Sequence, residues 1–148
     1  MFELIYASRA VMDLSESEME AFLGTSRDNN AEVDVTGCLL HVHDVPRDRS
    51  YFVQLLEGPE GAVEHTYARI RRDSLHRDVT AVHRGHRDGR AFEAWRMRLA
   101  TITTDTVFSL ISVDPVRLSD ARPTFDLLMN PSMARALLEL EAGVATPG

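Results

Sequence analysis

The sequence predicts an α+β domain with a five-stranded mixed sheet, on three observations. Strand-like and helix-like runs alternate in the order βαββαββ before an apolar tail. The strand runs show period-two alternation, and the two intervening segments show the three- and four-residue spacing of helices. Apolar residues fall on both faces of the strands, so both sides of the sheet need cover. The length of 148 residues suits one domain with a short appendage, at ~100–200 residues per domain.

Each element has a local reason. Phe2 to Ser8 alternates as a strand, with Phe2, Leu4 and Tyr6 on one face and Ile5 and Ala7 on the other. Ser15 and Glu18 form a capping box for a first helix. Its inward stripe is Met19, Phe22 and Leu23, continued by Ser26 and Asn30. Val35–His43 and Tyr51–Glu57 read as a hairpin around the polar loop Asp44–Ser50. Gly58-Pro59 ends that strand, and Pro59 or Glu60 opens a second helix with the core stripe Val63, Tyr67 and Ile70. Beside it runs a polar stripe, Thr66, Arg69 and Asp73, reaching His76 if the last turn holds. Val79–Arg87 and Trp95–Thr101 are the fourth and fifth strands, with Trp95 and Met97 on one face. Clusters around Phe108 and Leu128 to Leu140 predict two or three short helices. Two helices cannot cover both faces of such a sheet. The second face, with Ile5, Ala7, Cys38, Leu40, Val53 and Leu55, must be covered by the tail helices, a partner subunit, or both. The layout is ferredoxin-like, with two helices on one face and short helices at the C-terminus.

Composition excludes several classes of function. Hydrophobic residues make up 44% and charged residues 26%, which suits a globular chain. The net charge is −7, yet residues 69–98 hold nine Arg against four acids. That basic middle could meet an anion, but the acidic whole makes nucleic acid a poor partner. The N-terminus shows neither a signal peptide nor a membrane span. The single cysteine, Cys38, excludes an intrachain disulfide and fits a reducing, cytoplasmic setting.

Three polar residues stand where core residues belong: Tyr6, Asn30 and Gln54. Backbone groups could satisfy each one singly. The three together, with Trp95 and Met97 alongside, point to a bound polar aromatic ligand. His41 and His43, projecting from one strand face with His83 and His86 nearby, invite a metal, but no third ligand has ligand spacing. Cys38 lacks an evident catalytic partner and reads as a small buried hydrophobe. No phosphate loop, nucleophile elbow or carboxylate pair supports an enzyme, including an acylphosphatase-like one.

In order and spacing, five segments resemble the BLUF family of flavin-based blue-light sensors. They are Leu4–Ser8; Ser26–Asn30 with Val35-Thr36-Gly37; Phe52–Gly58; Arg69-Ile70 with Asp73 and His76; and Phe92–Met97. The resemblance spans residues 2 to about 101 and implies a flavin, FAD with FMN or riboflavin as alternatives, held non-covalently between the two helices. It implies that Tyr6 is the photochemical donor and that Gln54 is a hydrogen-bond switch. Asn30 would fix the flavin ring with Asn29 beside it. Ser26, Phe52, Arg69, Asp73 and His76 would be further contacts, and Trp95 and Met97 the relay. Three departures stand out: Leu75 where the family has Arg before the histidine, Asp34 where Gly is usual, and a longer Asp44–Ser50 loop.

These observations give a sensor domain over residues 1–102 and a helical extension over 103–148, packed on the sheet or on a partner. The expectation is a stand-alone photoreceptor that is not an enzyme. It would form a homo-oligomer and act on a separate protein effector, with no membrane or nucleic-acid partner. The alternative is a light-blind interaction module on the same fold.

Overall fold

A computed structural model of the chain describes residues 1–10, 16–44, 49–73, 76–90, 98–103, 128, 131 and 134–138. For residues 16, 22, 23, 25–27, 76 and 98–100 it describes the backbone alone. The elements are β1 (Phe2–Ala10), α1 (Glu16–Val33), β2 (Thr36–Asp44), β3 (Arg49–Gly58), α2 (Glu60–Arg71), β4 (His76–His86) and β5 (Arg98–Thr103). They form one sheet in the order β4-β1-β3-β2-β5. Strand β2 pairs with β5 in parallel, and every other pairing is antiparallel. This is the expected α+β, ferredoxin-like fold with a fifth strand.

Strand alternation sorts the core into two layers. Phe2, Leu4, Tyr6, Leu39, Phe52 and Leu56 face the helices and pack with Met19 of α1 and with Val63 and Tyr67 of α2. Ile5, Ala7, Cys38, Leu40, Val53 and Leu55 face the other way, as the sequence pattern required. Tail residues Leu128, Ala134, Leu137 and Leu138 join that second cluster. Residues 134–138 are helical, and 134, 137 and 138 share one helix face. At ~1.5–3 kcal/mol for each fully buried large aliphatic side chain, this cover is a substantial part of the core.

Several boundaries differ from the sequence expectation: β2 and β3 take in Asp44, Arg49 and Ser50, expected as loop, because these residues continue the hairpin ladder. Strand β1 runs to Ala10, and its partners Arg77 and His76 are thereby drawn into β4. His76 therefore opens β4 instead of closing α2. The helix stops at Arg71, where the N–H groups of Arg72 and Asp73 donate to Arg69 O (3.2 Å) and Ile70 O (3.0 Å), tightening the last turn. Strand β5 extends to Thr103, two residues further than expected. Residues 95–97, predicted as its start, lie outside the described residues, as does the Phe108 cluster.

The α1–β2 corner explains the unusual Asp34. The Val35 N–H donates to Asn30 O at 2.9 Å, and Asp34 between them takes φ 61°. This is a Schellman closure with a left-handed residue just past the helix, a place that favours glycine. Arg90 holds the corner, its Nη2 lying 2.9 Å from both Asp34 O and Asp34 Oδ2.

A charged contact joins the tail to the sheet. Glu3 lies on the same face as Ile5 and Ala7 and is 3% exposed. The Arg135 guanidinium grips its carboxylate, Nη2 on Oε1 and Nη1 on Oε2 at 3.4 Å. His83 Nε2 stands 3.2 Å from Oε1, and Arg87 Nη1 stands 3.6 Å from Oε2. Removing one partner of a buried ion pair strands the other, at ~3–5 kcal/mol for full burial. Because Arg135 is partly exposed and Arg87 and the His83 ring remain beside Glu3, Arg135→Ala should lower unfolding free energy by about 2–3 kcal/mol. Urea denaturation of the variant against the parent checks this; a change under about 0.5 kcal/mol would assign the docking to apolar contacts alone.

Candidate functional site

Register brings the expected pair together. Tyr6 of β1 lies directly opposite Gln54 of β3, and both point into the helix-side layer. The Tyr6 hydroxyl donates to Gln54 Oε1. Tyr6 is 1% and Gln54 5% exposed, so each supplies the partner that burial demands. Burial pushes the Tyr6 phenol far above its ordinary pKa, and the charges of Tyr67 and Asp73 push it further.

Helix α1 brings Asn30 to the same layer. It lies eleven residues, or three turns, after the buried Met19, and its Oδ1 is in the interior. Asn29 is half-buried beside it. Ser26 is on α1, one turn before Asn30, with only its backbone described. Phe52 shares the face of Gln54 and packs against His41 with ring centroids 5.3 Å apart. From α2, Arg69 is exposed, while Asp73 just past the helix end is half-buried and close enough to act on Tyr6. His76 stands at the start of β4, away from the helical stripe expected for it. Trp95 and Met97 lie outside the described residues.

The sequence treated Tyr67 as plain core. In the structure its ring lies 5.8 Å from that of Tyr6, tilted by 41°. Arg71 and Arg84 place their guanidinium carbons 5.8 and 5.3 Å from the Tyr67 ring centroid. Its hydroxyl oxygen accepts from the backbone of Ala81, the residue paired with Tyr6 where the β1–β4 ladder shifts register. Burial raises the Tyr67 pKa, Arg71 and Arg84 oppose the rise, Glu64 adds to it, and the Ala81 bond opposes it. A tyrosine four residues after Val63 reads as helix packing, so periodicity gave no signal for this contact. Glu3 did leave one, as a carboxylate at an inward strand position.

The histidines separate. His41 and His43 stack on β2, while His83 and His86 are on β4, with β1 and β3 between the two strands. The expectation that they lie near one another is corrected by this strand order. Among the described residues no helix is long and apolar enough to cross a membrane.

The site is therefore a hydrogen-bonded phenol and carboxamide, with a second buried carboxamide, Asn30, on α1, in the helix–sheet layer. Amides present a donor and an acceptor side by side, which suits the alternating carbonyl and N–H edge of an isoalloxazine ring. The residues present thus fit a flavin. A family model described as sensors of blue-light using FAD matches residues 1–98. The photoactivated adenylate cyclase subunit beta of Euglena gracilis is 39% identical over 99 residues, 66% of this chain and 11% of that protein. The chain therefore spans only a small part of such curated relatives. Among solved structures, the dark-state structure of BlrB, a BLUF protein, matches with a TM-score of 0.71 at 24% identity, covering 97% of this chain and 96% of that one. BlrP1 of Klebsiella pneumoniae, with FMN and cyclic diGMP, matches with a TM-score of 0.59 at 29% identity, covering 86% of this chain and 33% of that one. The chain belongs to the BLUF family, whose members sense blue light with a bound flavin.

The raised phenols predict alkaline sensitivity. Above pH ~10 the unfolded chain releases tyrosine protons that the folded chain retains. Their stabilising contribution is complete below that pH and is lost as pH climbs toward the folded values. Each retained proton should cost about 1.4 kcal/mol per pH unit in that window. Chemical denaturation between pH 8 and 11 should show this fall, and Tyr6→Phe should reduce its slope by one proton. An unchanged slope would mean that Tyr6 ionises normally in the fold.

Proposed function

We propose that this chain is a blue-light receptor in which Tyr6 and Gln54 are the photochemical pair and the flavin is FAD. The hydrogen bond from Tyr6 to Gln54 Oε1 carries the reading. Asn30 would fix the ring, with Asn29, Ser26, Phe52, Arg69, Asp73 and His76 as further contacts around the cofactor. When bound, the flavin supplies blue-light absorption and electron-accepting capacity. Tyr6 is the donor, because loss of an electron makes a phenol proton strongly acidic and Gln54 Oε1 already receives that proton. Gln54 is the switch. Rotation or tautomerisation exchanges its donor and acceptor ends, and a buried rearrangement of this kind is worth ~1–3 kcal/mol. Trp95 and Met97 pass the change to the far face and the 103–148 extension. Output goes through a protein effector or a homo-oligomer in the cytoplasm, without an activity of the chain's own.

Absorption spectra in the dark and just after blue light test this. The purified protein should be yellow and show a small reversible red shift, and chromatography of heat-released chromophore should give FAD rather than FMN or riboflavin. A colourless protein would instead support a light-blind interaction module. Tyr6→Phe keeps the ring and removes the hydroxyl; Gln54→Leu keeps the bulk and removes the amide. Both should retain flavin and lose the red shift, and a normal photocycle in either would overturn the assigned roles.

A further inference from the structure

Tyr67 has no part in that scheme, yet its ring is 5.8 Å from Tyr6 and is buried with it in the helix-side layer. A Tyr6 radical in ring contact with an intact phenol can be repaired by it. Tyr67 would give up one electron and its hydroxyl proton, Tyr6 would take both, and only an O–H bond would change hands. For two identical side chains the exchange is near balance, so their surroundings decide it.

Those surroundings differ in sign. Arg71 and Arg84 lie against the Tyr67 ring. A guanidinium favours a neutral aromatic face and disfavours one that has lost an electron. Glu64 partly offsets Arg84, Oε1 to Nε 2.8 Å, while Arg71 has no ion pair among the described residues. Tyr6 instead feels the carboxylate of Asp73, which favours positive charge on its ring. The proton path differs as well. The Tyr6 hydroxyl rests on Gln54 Oε1. The Tyr67 hydroxyl oxygen accepts from the Ala81 backbone, a bond that offers the Tyr67 proton no acceptor.

We propose that Arg71 and Arg84 are positioning residues that hold positive charge on Tyr67, stop it from reducing the Tyr6 radical, and so confine the photochemistry to one tyrosine. The inference rests on Tyr6 being the electron donor to the light-excited flavin.

The test uses the full flavin-loaded chain, illuminated and frozen, with tyrosyl radical measured by electron paramagnetic resonance. The parent should leave little persistent radical. The double variant Arg71→Gln/Arg84→Gln should leave several-fold more, and adding Tyr67→Phe should return the yield to the parent's. The charge-keeping pair Arg71→Lys/Arg84→Lys should behave like the parent. In flavin-free protein carrying 3-fluorotyrosine, the fluorine titration of residue 67 should move up by ~0.5–1 pH unit in the glutamine variant. No change in radical yield, an increase that survives Tyr67→Phe, or an unmoved titration would overturn the proposal. Tyr6→Phe separates the two levels. If it still photocycles, the donor assignment has failed and this inference falls with it; if it loses the red shift while the arginine variants change nothing, only the inference has failed.

Discussion

The hydrogen bond between Tyr6 and Gln54 constrains the whole sheet. Both groups stand on central strands inside an apolar layer, where an unpaired amide or hydroxyl costs ~1–3 kcal/mol. Their pairing holds in a single register, because a one-residue slip of β1 against β3 would send Tyr6 to the opposite face. The same slip would bring Glu3 to the helix layer and expel Leu4, so apolar burial and polar pairing select the same alignment. Flanking strands keep both central strands from fraying, with β4 outside β1 and β2 outside β3. The cost of a polar pair in the core is met by a strand order that lets it form in one way.

The helical wall is held as firmly. Asn30 closes α1, its carbonyl oxygen accepting the Val35 N–H. Its side chain is thereby tied to the start of β2. Gly58, at the end of β3, passes so close to that corner that a Cβ there would lie 2.7 Å from Asp34 O. Arg90 then spans the junction, donating to Thr36 Oγ1 at 2.8 Å, Glu57 O at 3.3 Å and Asp34 O at 2.9 Å. One guanidinium therefore locks the end of α1, the start of β2 and the end of β3. The helix that carries Asn30 and the strand that carries Gln54 are thus joined at one corner, which limits how far the two elements can shift against each other.

Period-two alternation made most of this legible. It sorted Phe2, Leu4 and Tyr6 from Ile5 and Ala7, and it marked Gln54 as polar among inward residues. Helix spacing did the same for Asn30. The end of α2 was less legible, because the extension of a helical stripe to His76 competes with a strand partner sixty-six residues earlier in the chain. Ala10 pairs with His76, and no local pattern reports such a pairing. Tyr67 escaped for a related reason. Its spacing from Val63 is correct for packing, and only the folded chain shows that it packs on another phenol beneath two arginines. Asp34 could be seen as a departure from the family pattern, while its φ of 61° supplies the reason why glycine is usual there. Ser26, His76, Trp95 and Met97 rest on the family resemblance, since the described side chains do not include them.

Strand β1 links two chemically different faces. Tyr6 meets Gln54 on the helix side, and Glu3, three residues earlier, meets Arg135, His83 and Arg87 on the tail side. At ~3.3 Å rise per residue the two sites are about 10 Å apart along one backbone. The tail's apolar contacts tolerate small slides, because dispersion is non-directional and shared among many atoms. A two-pronged guanidinium–carboxylate grip does not, because both prongs need their geometry. Buried charge adds little net stability but is well suited to setting register. A displacement of β1 too small to unseat Leu137 or Leu138 would therefore still be felt at Glu3, which makes the charged contact the sensitive point between the light-sensing face and the tail.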